Sequence, residues 1–318
     1  MFKAAAALIL LAVLAVASIS CGSDEPSGPR TRLVLEPVEG LLVEDMDAAL
    51  DDAIRVIDRR LDAFGLEDSK VERSGDDSIV VLVKTADAEE AERILAKTGL
   101  LQFCEPVVDE AGNVAVLLGG SVSYKPGTCE PERDEAGNIL TVPPFFVESS
   151  PPEPPEPPQP PKSPIEFVPW ARMGAPGQAA NPRDDEIVWQ PATATIDGEE
   201  VTLDGTYLLP TTSVFITGTV IQQPTLIFEF EGDGVSALEQ VTERLSERNY
   251  PIGMFLDGEP IRDSNGLVIA PQVIAELTSG QGTITGLSEE AANDLSMLLN
   301  GGAYPIPLRI VEISEVLD

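Results

Sequence analysis

Residues 253–312 decide the fold, and they read GMFLDGEPIRDSNGLVIAPQVIAELTSGQGTITGLSEEAANDLSMLLNGGAYPIPLRIVE. Near the end of this stretch, Ser288 precedes two acidic residues and a face of three leucines, which predicts a helix that ends at Gly301 and Gly302. Residues 305–316 then alternate apolar and polar side chains, which predicts a strand. This helix and strand have no partner nearby in the sequence, so we expect them to return to a sheet that forms earlier in the chain.

The earlier sheet is predicted within residues 32–106. The segment TRLVLEPV has the composition of a strand, and apolar residues from Met46 to Phe64 recur at helical spacing until Gly65. The runs SKVERS and IVVLVK flank the turn GDDS as in a hairpin, and ADAEEAERILAKTG predicts a second helix before the strand LLQFCEP. The order β-α-β-β-α-β is that of a ferredoxin-like sandwich.

A second unit is predicted for residues 201–286. Its runs PTLIFEFEG, YPIGMFLDG, LVIAP and GTITG have the alternation of strands, whereas GVSALEQVTERLSERN and the shorter QVIAELTSG predict helices. The predicted fold class is therefore α+β. Residues 32–106 and 287–318 form a ferredoxin-like sandwich base, and residues 201–286 form an α+β head subdomain inserted into it.

Residues 107–200 separate these units and are predicted to be an irregular, proline-rich insertion. The segment DEAGN occurs at Asp109 and again at Asp134, each time before an apolar run, as expected for a polar turn between strands. The segment PPEPPEPPQPPKSP, which begins at Pro151, predicts a stiff polyproline II spacer. A ligand for a proline-recognising domain is the alternative interpretation of that segment.

Composition excludes several classes of function. The 318 residues are 43% hydrophobic, which is enough for folded cores, and carry 20 basic against 54 acidic residues. The net charge of −34 repels nucleic acid and anionic lipid head groups, so we expect no nucleic-acid partner. The chain has no histidine and no phosphate-binding loop motif, so we expect no enzyme, no metal and no cofactor. Hydrolysis by a pair of carboxyl groups is the remaining enzymatic alternative.

The N-terminus predicts export and attachment to a membrane. It reads MFKAAAALILLAVLAVASISCGSDEPSG, in which Lys3 precedes an apolar run at residues 4–19, and Cys21 follows small residues as in a bacterial lipobox. Residues 1–20 are thus predicted to be a signal peptide, Cys21 the site of lipidation, and residues 21–31 a tether. Cleavage after residues 15–17 and an uncleaved anchor are the alternatives, and all three place the body of the protein outside the cytoplasm.

Export also affects the interpretation of the other two cysteines. If Cys21 carries lipid, Cys104 and Cys129 are the remaining thiols, and an oxidising compartment favours a disulfide between them. The alternative is that Cys104 is a buried small residue and Cys129 is a free thiol.

Two segments resemble the first extracytoplasmic domain of the SecD family of protein-export membrane proteins. The first, residues 53–84, reads AIRVIDRRLDAFGLEDSKVERSGDDSIVVLVK and is similar to the family's helix, glycine turn and hairpin. The second is the stretch quoted at the start. The second segment matches the family pattern at Asp257, Gly258, Ala270, Pro271, Ile284, Thr285, Gly286, Ala291, Leu295, Leu299, Gly302, Ala303, Pro305, Pro307, Ile310, Val311 and Glu312.

The resemblance implies a base and an inserted head that bind exported, unfolded polypeptide or subunits of the Sec translocon, without catalysis. The transmembrane helices that follow this domain in the family have no counterpart in the sequence, so we expect a binding domain without the proton-driven machinery. Lipid on Cys21 would hold the domain at the cell membrane. The alternative function is that of a structural or scaffold envelope lipoprotein that uses the same fold for another partner.

Candidate functional residues follow from the resemblance and from the predicted strands. Four apolar residues are candidates for a polypeptide-binding groove, and the alternative is that they form the inner face of the head sheet: Phe228, Phe230, Met254 and Leu256. Ten residues are expected to be structural members of the family pattern: Arg59, Gly65, Asp257, Gly258, Ala270, Pro271, Gly286, Ala291, Gly302 and Pro305.

Overall fold

The structure is a computed structural model that describes residues 29–38, 45–66, 68–75, 77–142, 165–170, 182–218 and 223–316. The helices in this part of the chain are α1 (Met46–Ala63), α2 (Ala88–Leu95), α3 (Asp233–Ser246) and α4 (Glu289–Gly301). The strands are β1 (Arg30–Pro37), β2 (Lys70–Ser74), β3 (Ser78–Lys84), β4 (Leu101–Pro106), β5 (Asn113–Leu117), β6 (Ser121–Val122), β7 (Thr141–Val142), β8 (Ile165–Pro169), β9 (Trp189–Pro191), β10 (Thr193–Ile196), β11 (Glu199–Thr202), β12 (Ser213–Thr217), β13 (Gln223–Glu229), β14 (Gly253–Leu256), β15 (Glu259–Pro260), β16 (Gln281–Thr285) and β17 (Leu308–Val316).

Three predicted features lie outside the described residues. They are the signal peptide at residues 1–20, the lipidation site Cys21 with most of the tether, and the polyproline segment at residues 151–164. The tether was predicted to extend to residue 31, but β1 already begins at Arg30.

The base is an antiparallel sheet in the order β17-β1-β3-β2, with α1 and α2 packed on one face. The Asp45 side chain caps α1 by accepting a hydrogen bond from the Ala48 backbone N–H at 3.0 Å. One face of α1 is buried and, apart from Arg60, apolar, and it packs against the alternate inward residues of β1 and β3, among them Leu33 and Val81. The long apolar run of β3 and the helical spacing of α1 thus form one core.

The C-terminal strand returns to this sheet, as predicted. β17 pairs with β1 from Arg30 opposite Val316 to Pro37 opposite Leu308, so the first and last described strands are neighbours. The prediction for LLQFCEP, in contrast, was wrong. This segment is β4, and it pairs with β14 and β9 rather than with a base strand.

Burial explains why β4 and not β17 leaves the base. Four consecutive residues of β4 are buried, as expected for a strand covered on both faces, whereas most residues of β17 are partly or fully exposed, as expected at the edge of a sheet. The sequence thus predicted five strands for the base, of which the C-terminal strand was placed correctly and LLQFCEP was not.

The head contains two sheets, ordered β12-β13-β16 and β15-β14-β4-β9, and α3 contributes to the core between them. α4 was assigned to the base from its sequence, yet Ala292, Leu295 and Leu299 on this helix belong to the core of the head. The same helix also packs against α1. α4 is therefore the element that joins the head to the base.

Three predictions of secondary structure need correction. The segment LVIAP, residues 267–271, was predicted to be a strand, but instead of a strand it contains the isolated bridge of Val268 with Arg262. The segment QVIAELTSG was predicted to be a helix, but it is irregular, because neighbouring elements bind its backbone: Val273 N–H donates to the Tyr250 carbonyl and Leu277 N–H to the Thr242 hydroxyl. Residues 107–200 were predicted to be irregular, but they contain the strand pairs β5-β8, β6-β7 and β10-β11 as well as β9. The two DEAGN segments are polar turns, as predicted, in which Asp109 and Asp134 accept backbone N–H groups.

Candidate functional site

The head contains an apolar cleft of about 550 Å³, which we call the head cleft. Residues of the strands β4, β13, β14 and β16 and of the helix α3 line it. Residues 271–279 form its mouth and include most of the segment that was predicted to be a helix, residues 272–280. We call residues 271–279 the rim segment. The residues that line the cleft include no Asp, Glu, Lys or Arg, although the whole chain has a net charge of −34. The cleft can therefore accept apolar side chains and provides no ionisable group for acid-base chemistry.

Phe103 and Phe228 form the floor of the head cleft, and Phe230 packs behind them. The ring centroids of Phe103, Phe228 and Phe230 lie 5.4 to 5.7 Å from one another, and all three side chains are buried. Gly282 on β16 faces the Phe228 ring so closely that a Cβ atom at this position would lie 2.3 Å from Cζ of Phe228. Because the two other rings hold Phe228 in place, a side chain at position 282 would disturb the floor.

The rim segment is irregular but held at three points. Ile252 N–H donates to the Pro271 carbonyl at 3.0 Å, Val273 N–H to the Tyr250 carbonyl at 3.0 Å, and Leu277 N–H to the Thr242 hydroxyl at 2.8 Å. Between these points, Ile274 is 70% exposed and Leu277 is 40% exposed. The mouth of the cleft thus presents apolar side chains to solvent, an arrangement typical of interaction sites.

Two polar features of the cleft are open to a ligand. β16 pairs with β13 and with no other described strand. Since Phe230 N–H donates to the Gly280 carbonyl, the antiparallel alternation places the backbone groups of Gln281 and Thr283 on the edge of β16 that no described strand covers. On this edge the Gln281 N–H donates to the Ser279 hydroxyl at 3.3 Å. On the rim segment, Gln272 Oε1 is buried and has no hydrogen-bond partner among the described residues.

The four apolar candidates from the sequence fall at three places. Phe228 and Met254 line the head cleft, and Phe230 packs behind its floor. Leu256 lines a second cleft of about 340 Å³ between the head and the base. Phe228, Phe230 and Met254 are also buried core residues, so the alternative interpretation, an inner face of the head, applies to them as well.

Sequence reasoning missed the rim segment and the hydrogen bonds that hold it. The available signal was the set of apolar residues Val273, Ile274 and Leu277, but their helical spacing predicted one face of a helix. In the structure Val273 is buried and Ile274 is exposed. This difference in burial depends on the hydrogen bonds from the rim segment to Tyr250 and Thr242.

Several family-pattern residues form turns and caps. Gly258 has a φ of +83°, and a Cβ atom there would lie 2.8 Å from the Thr128 nitrogen, so glycine is required both for the turn and for the close approach. The preceding residue, Asp257, fixes the same turn, because its carboxylate accepts the Leu100 N–H at 3.0 Å. Ala291 donates its N–H to the capping hydroxyl of Ser288 at 3.1 Å.

The remaining members of the pattern are placed as follows. Gly65, Gly286 and Gly302 have positive φ angles. Ala270 packs against the core of the head, and the carbonyl of Pro271 accepts the hydrogen bond that holds one end of the rim segment. Pro305 is exposed. Arg59, the last of them, is an exposed residue of α1.

The neighbouring Arg60 is the buried arginine, and sequence reasoning did not select it. Its guanidinium donates to the carbonyls of Ile94 at 3.2 Å and of Gly302 at 2.7 Å, and also to those of Lys97 and Thr98. It lies 4.2 Å from the centre of the Tyr304 ring. Burial lowers the pKa of Arg60 and raises the pKa of Tyr304 to about 12. Arg60 therefore connects the carboxyl ends of α2 and α4 to α1.

Cys104 and Cys129 are joined in the structure by an S–S distance of 2.00 Å, and both residues are fully buried. Cys104 lies on β4, whereas Cys129 belongs to the loop between β6 and β7. The bond thus connects the insertion to the central sheet of the head.

Among the described residues, no cluster of three or more cysteine, aspartate or glutamate side chains is arranged to hold a metal ion. None of the described helices combines the length and the apolar character needed to cross a membrane.

Two family models match the chain. The model described as "Protein translocase subunit SecDF, P1 domain, N-terminal" matches residues 50–113, and the model described as "SecDF, P1 head subdomain" matches residues 190–306. The second match extends beyond the predicted head on both sides and includes α4, which agrees with the packing of that helix against the core of the head.

Curated relatives and solved structures agree with these models. The protein translocase subunit SecD of Dehalococcoides mccartyi is 27% identical over 265 residues, which cover 83% of this chain and 43% of that protein. The SecD of a Synechocystis species is 25% identical over 330 residues, which cover 96% of this chain and 58% of that protein. The chain thus spans about half the length of these relatives.

A crystal structure of SecDF in its "Super-membrane-facing form" has the same fold, with a TM-score of 0.51 and 17% identity over 93% of this chain and 32% of that one. The two family models together match more than half of the sequence. The chain therefore belongs to the SecD family and comprises a P1 domain with its head subdomain.

Proposed function

We propose that this protein is a non-catalytic, extracytoplasmic domain of the SecD type that binds exported, unfolded polypeptide in the head cleft. The observation that carries the proposal is an uncharged apolar cleft with exposed apolar residues at its mouth in a chain with a net charge of −34. Unfolded chains expose the apolar side chains that such a cleft accepts, whereas folded proteins bury them.

Burial of apolar surface supplies the affinity in this proposal. Ile274 is 70% exposed and Leu277 is 40% exposed, so a ligand that covers them removes apolar area from water. A fully buried aliphatic side chain contributes about 1.5–3 kcal/mol, and ordering of the polypeptide offsets part of that. Weak, reversible binding results, which suits a site through which a chain has to pass.

The partners and the location are part of the same proposal. The relatives are named protein translocase subunits, which supports an association of this chain with the Sec translocon during export. Lipid on Cys21, a residue outside the described part of the chain, would hold the domain on the outer side of the cell membrane.

Site-specific crosslinking in membranes tests the proposal. A photoreactive benzoylphenylalanine replaces Ile274 in the full chain, and an exported polypeptide is stalled in the translocon before irradiation. We expect the stalled polypeptide to be captured. The matched control is Leu118, another apolar residue with a similar exposure of 66% that does not line the cleft.

Equal capture at both positions, or no capture of the stalled polypeptide at position 274, would contradict the proposal. Capture of one folded envelope protein at position 274, independent of export, would instead support the scaffold function that the sequence left as an alternative.

A further inference from the structure

We infer that the polypeptide binds as an extended strand along the free edge of β16 and that Gln272 Oε1 accepts one of its backbone N–H groups. This inference rests on the proposed function, because it states how the head cleft holds its ligand. It assigns a role to an edge of β16 that no described strand covers and to a buried oxygen that has no hydrogen-bond partner among the described residues.

The first feature is the free edge of β16. The backbone groups of Gln281 and Thr283 point away from β13, and both residues line the head cleft. A strand added at this edge would extend the three-stranded sheet β12-β13-β16 to four strands. Its affinity would come partly from main-chain hydrogen bonds, which do not depend on the sequence of the ligand.

The second feature is the unpartnered oxygen of Gln272. A buried polar atom without a hydrogen bond is rare in folded proteins, because it has lost its contact with water and gained nothing in return. Gln272 lines the same cleft as β16, and the neighbouring backbone groups, those of Pro271 and Val273, already bond to Ile252 and Tyr250. Because this oxygen has almost no exposed surface, the side chain of the half-buried Gln272 has to turn toward the cleft to accept an N–H group that a ligand brings there.

The two features are compatible with a single binding mode. In a strand beside β16, every second residue directs its N–H and C=O groups toward β16, and the residues between direct theirs to the opposite side. Gln272 lies on the rim segment and lines the same cleft, so its side chain, turned toward the ligand, would accept one of these opposite groups. Side chains alternate between the two faces of the strand, so the ligand should carry an apolar residue at every second position to contact the aromatic floor.

Backbone methylation of a ligand tests this mode. The probes are fluorescent nonapeptides with alternating valine and threonine and a lysine at each end, either unmodified or N-methylated at one internal residue at a time. Binding to the full chain in detergent is measured by fluorescence anisotropy. The protein variants are Gln272→Leu and the similarly shaped Gln272→Met, with Gln240→Leu as the matched control, because Gln240 bonds to Thr195 outside the cleft.

We expect both Gln272 variants to weaken the unmodified peptide about tenfold and Gln240→Leu to leave it unchanged. Methylation at one internal position should weaken binding to the wild type by a similar factor, yet cause no further loss in the Gln272 variants. This absence of additivity identifies the N–H group that Gln272 accepts.

The outcomes separate this inference from the proposed function. If no peptide binds the wild type, the proposed function fails. If peptides bind and the Gln272 variants match the wild type, or if methylation weakens binding equally in all proteins, the inference fails while the proposed function stands. Thermal denaturation of each variant verifies that it is folded.

Discussion

At the scale of residues, the neighbours Arg59 and Arg60 differ in burial: Arg59 is exposed, whereas Arg60 is fully buried. Consecutive residues on a helix point about 100° apart, so only one of the two can face the core. The spacing of the buried residues of α1 places position 60 on the inner face, but an arginine is expected outside, because a buried charge without partners is unfavourable. Four backbone carbonyls accept hydrogen bonds from Arg60 and offset the cost of burying its charge. These carbonyls belong to segments that are distant in sequence, so the sequence alone does not predict the contacts.

We predict that Arg60→Leu lowers the free energy of unfolding by about 3 kcal/mol, because it leaves the carbonyls at the ends of α2 and α4 without a donor. Urea denaturation followed by circular dichroism measures the change. Arg59→Leu is the matched control: it removes the same charge from an exposed position, and we expect an effect within about 0.5 kcal/mol. Equal effects of the two substitutions would show that Arg60 has no special role.

At the scale of elements, the bond between Cys104 and Cys129 connects β4 to the loop between β6 and β7. We predict that a peptide map under non-reducing conditions contains these two cysteines in one linked fragment. Replacement of both by serine should lower the free energy of unfolding by about 3 kcal/mol, since the closed loop of 25 residues restricts the unfolded chain.

The control for this prediction is the wild type in the presence of a reductant, which should unfold at the same urea concentration as the double serine variant. If the peptide map shows two free thiols and reduction leaves the stability unchanged, the pairing is wrong, and the alternative of a buried Cys104 with a free Cys129 applies.

Elements with strong periodicity were predictable, and elements defined by their neighbours were not. The helices α1, α3 and α4 and the strands β3, β13, β16 and β17 follow from apolar spacing and from Gly or Ser at their ends. The rim segment has a helix-like apolar spacing but is held open by hydrogen bonds to Tyr250 and Thr242. β4 is a strand by any local rule, and only its burial on both faces decides which sheet it joins.

At the scale of the whole molecule, the two ends of the described chain form one sheet. β1 and β17 pair side by side although the segment between them contains the insertion and the head. This nesting was predictable, because the last helix and strand lacked a local partner and the family pattern required one. The assignment of α4 to the base or to the head was not predictable from the sequence. Its apolar residues face the core of the head, but the helix also contacts α1 in the base.

The net charge of −34 should make binding in the uncharged head cleft selective for the charge of the ligand. Acidic residues flank the cleft, with Glu276 on the rim segment and Glu229 opposite Gln281 in the sheet. We predict that a peptide with an apolar core and lysine at both ends binds at least about tenfold more tightly than the same core with glutamate, when the salt concentration is low.

The physical reason is long-range attraction, which salt screens over a Debye length of about 10 Å at 0.1 M and about 3 Å at 1 M. Affinities of both peptides for the full chain, measured by fluorescence anisotropy from 0.05 to 1 M salt, should therefore converge as the salt concentration rises. Glu276→Gln, which removes one charge at the mouth, should reduce the difference at low salt, whereas Glu199→Gln, an exposed residue outside the cleft, should reduce it less. Peptides that bind equally at all salt concentrations would show that the acidic surface has no part in the choice of ligand.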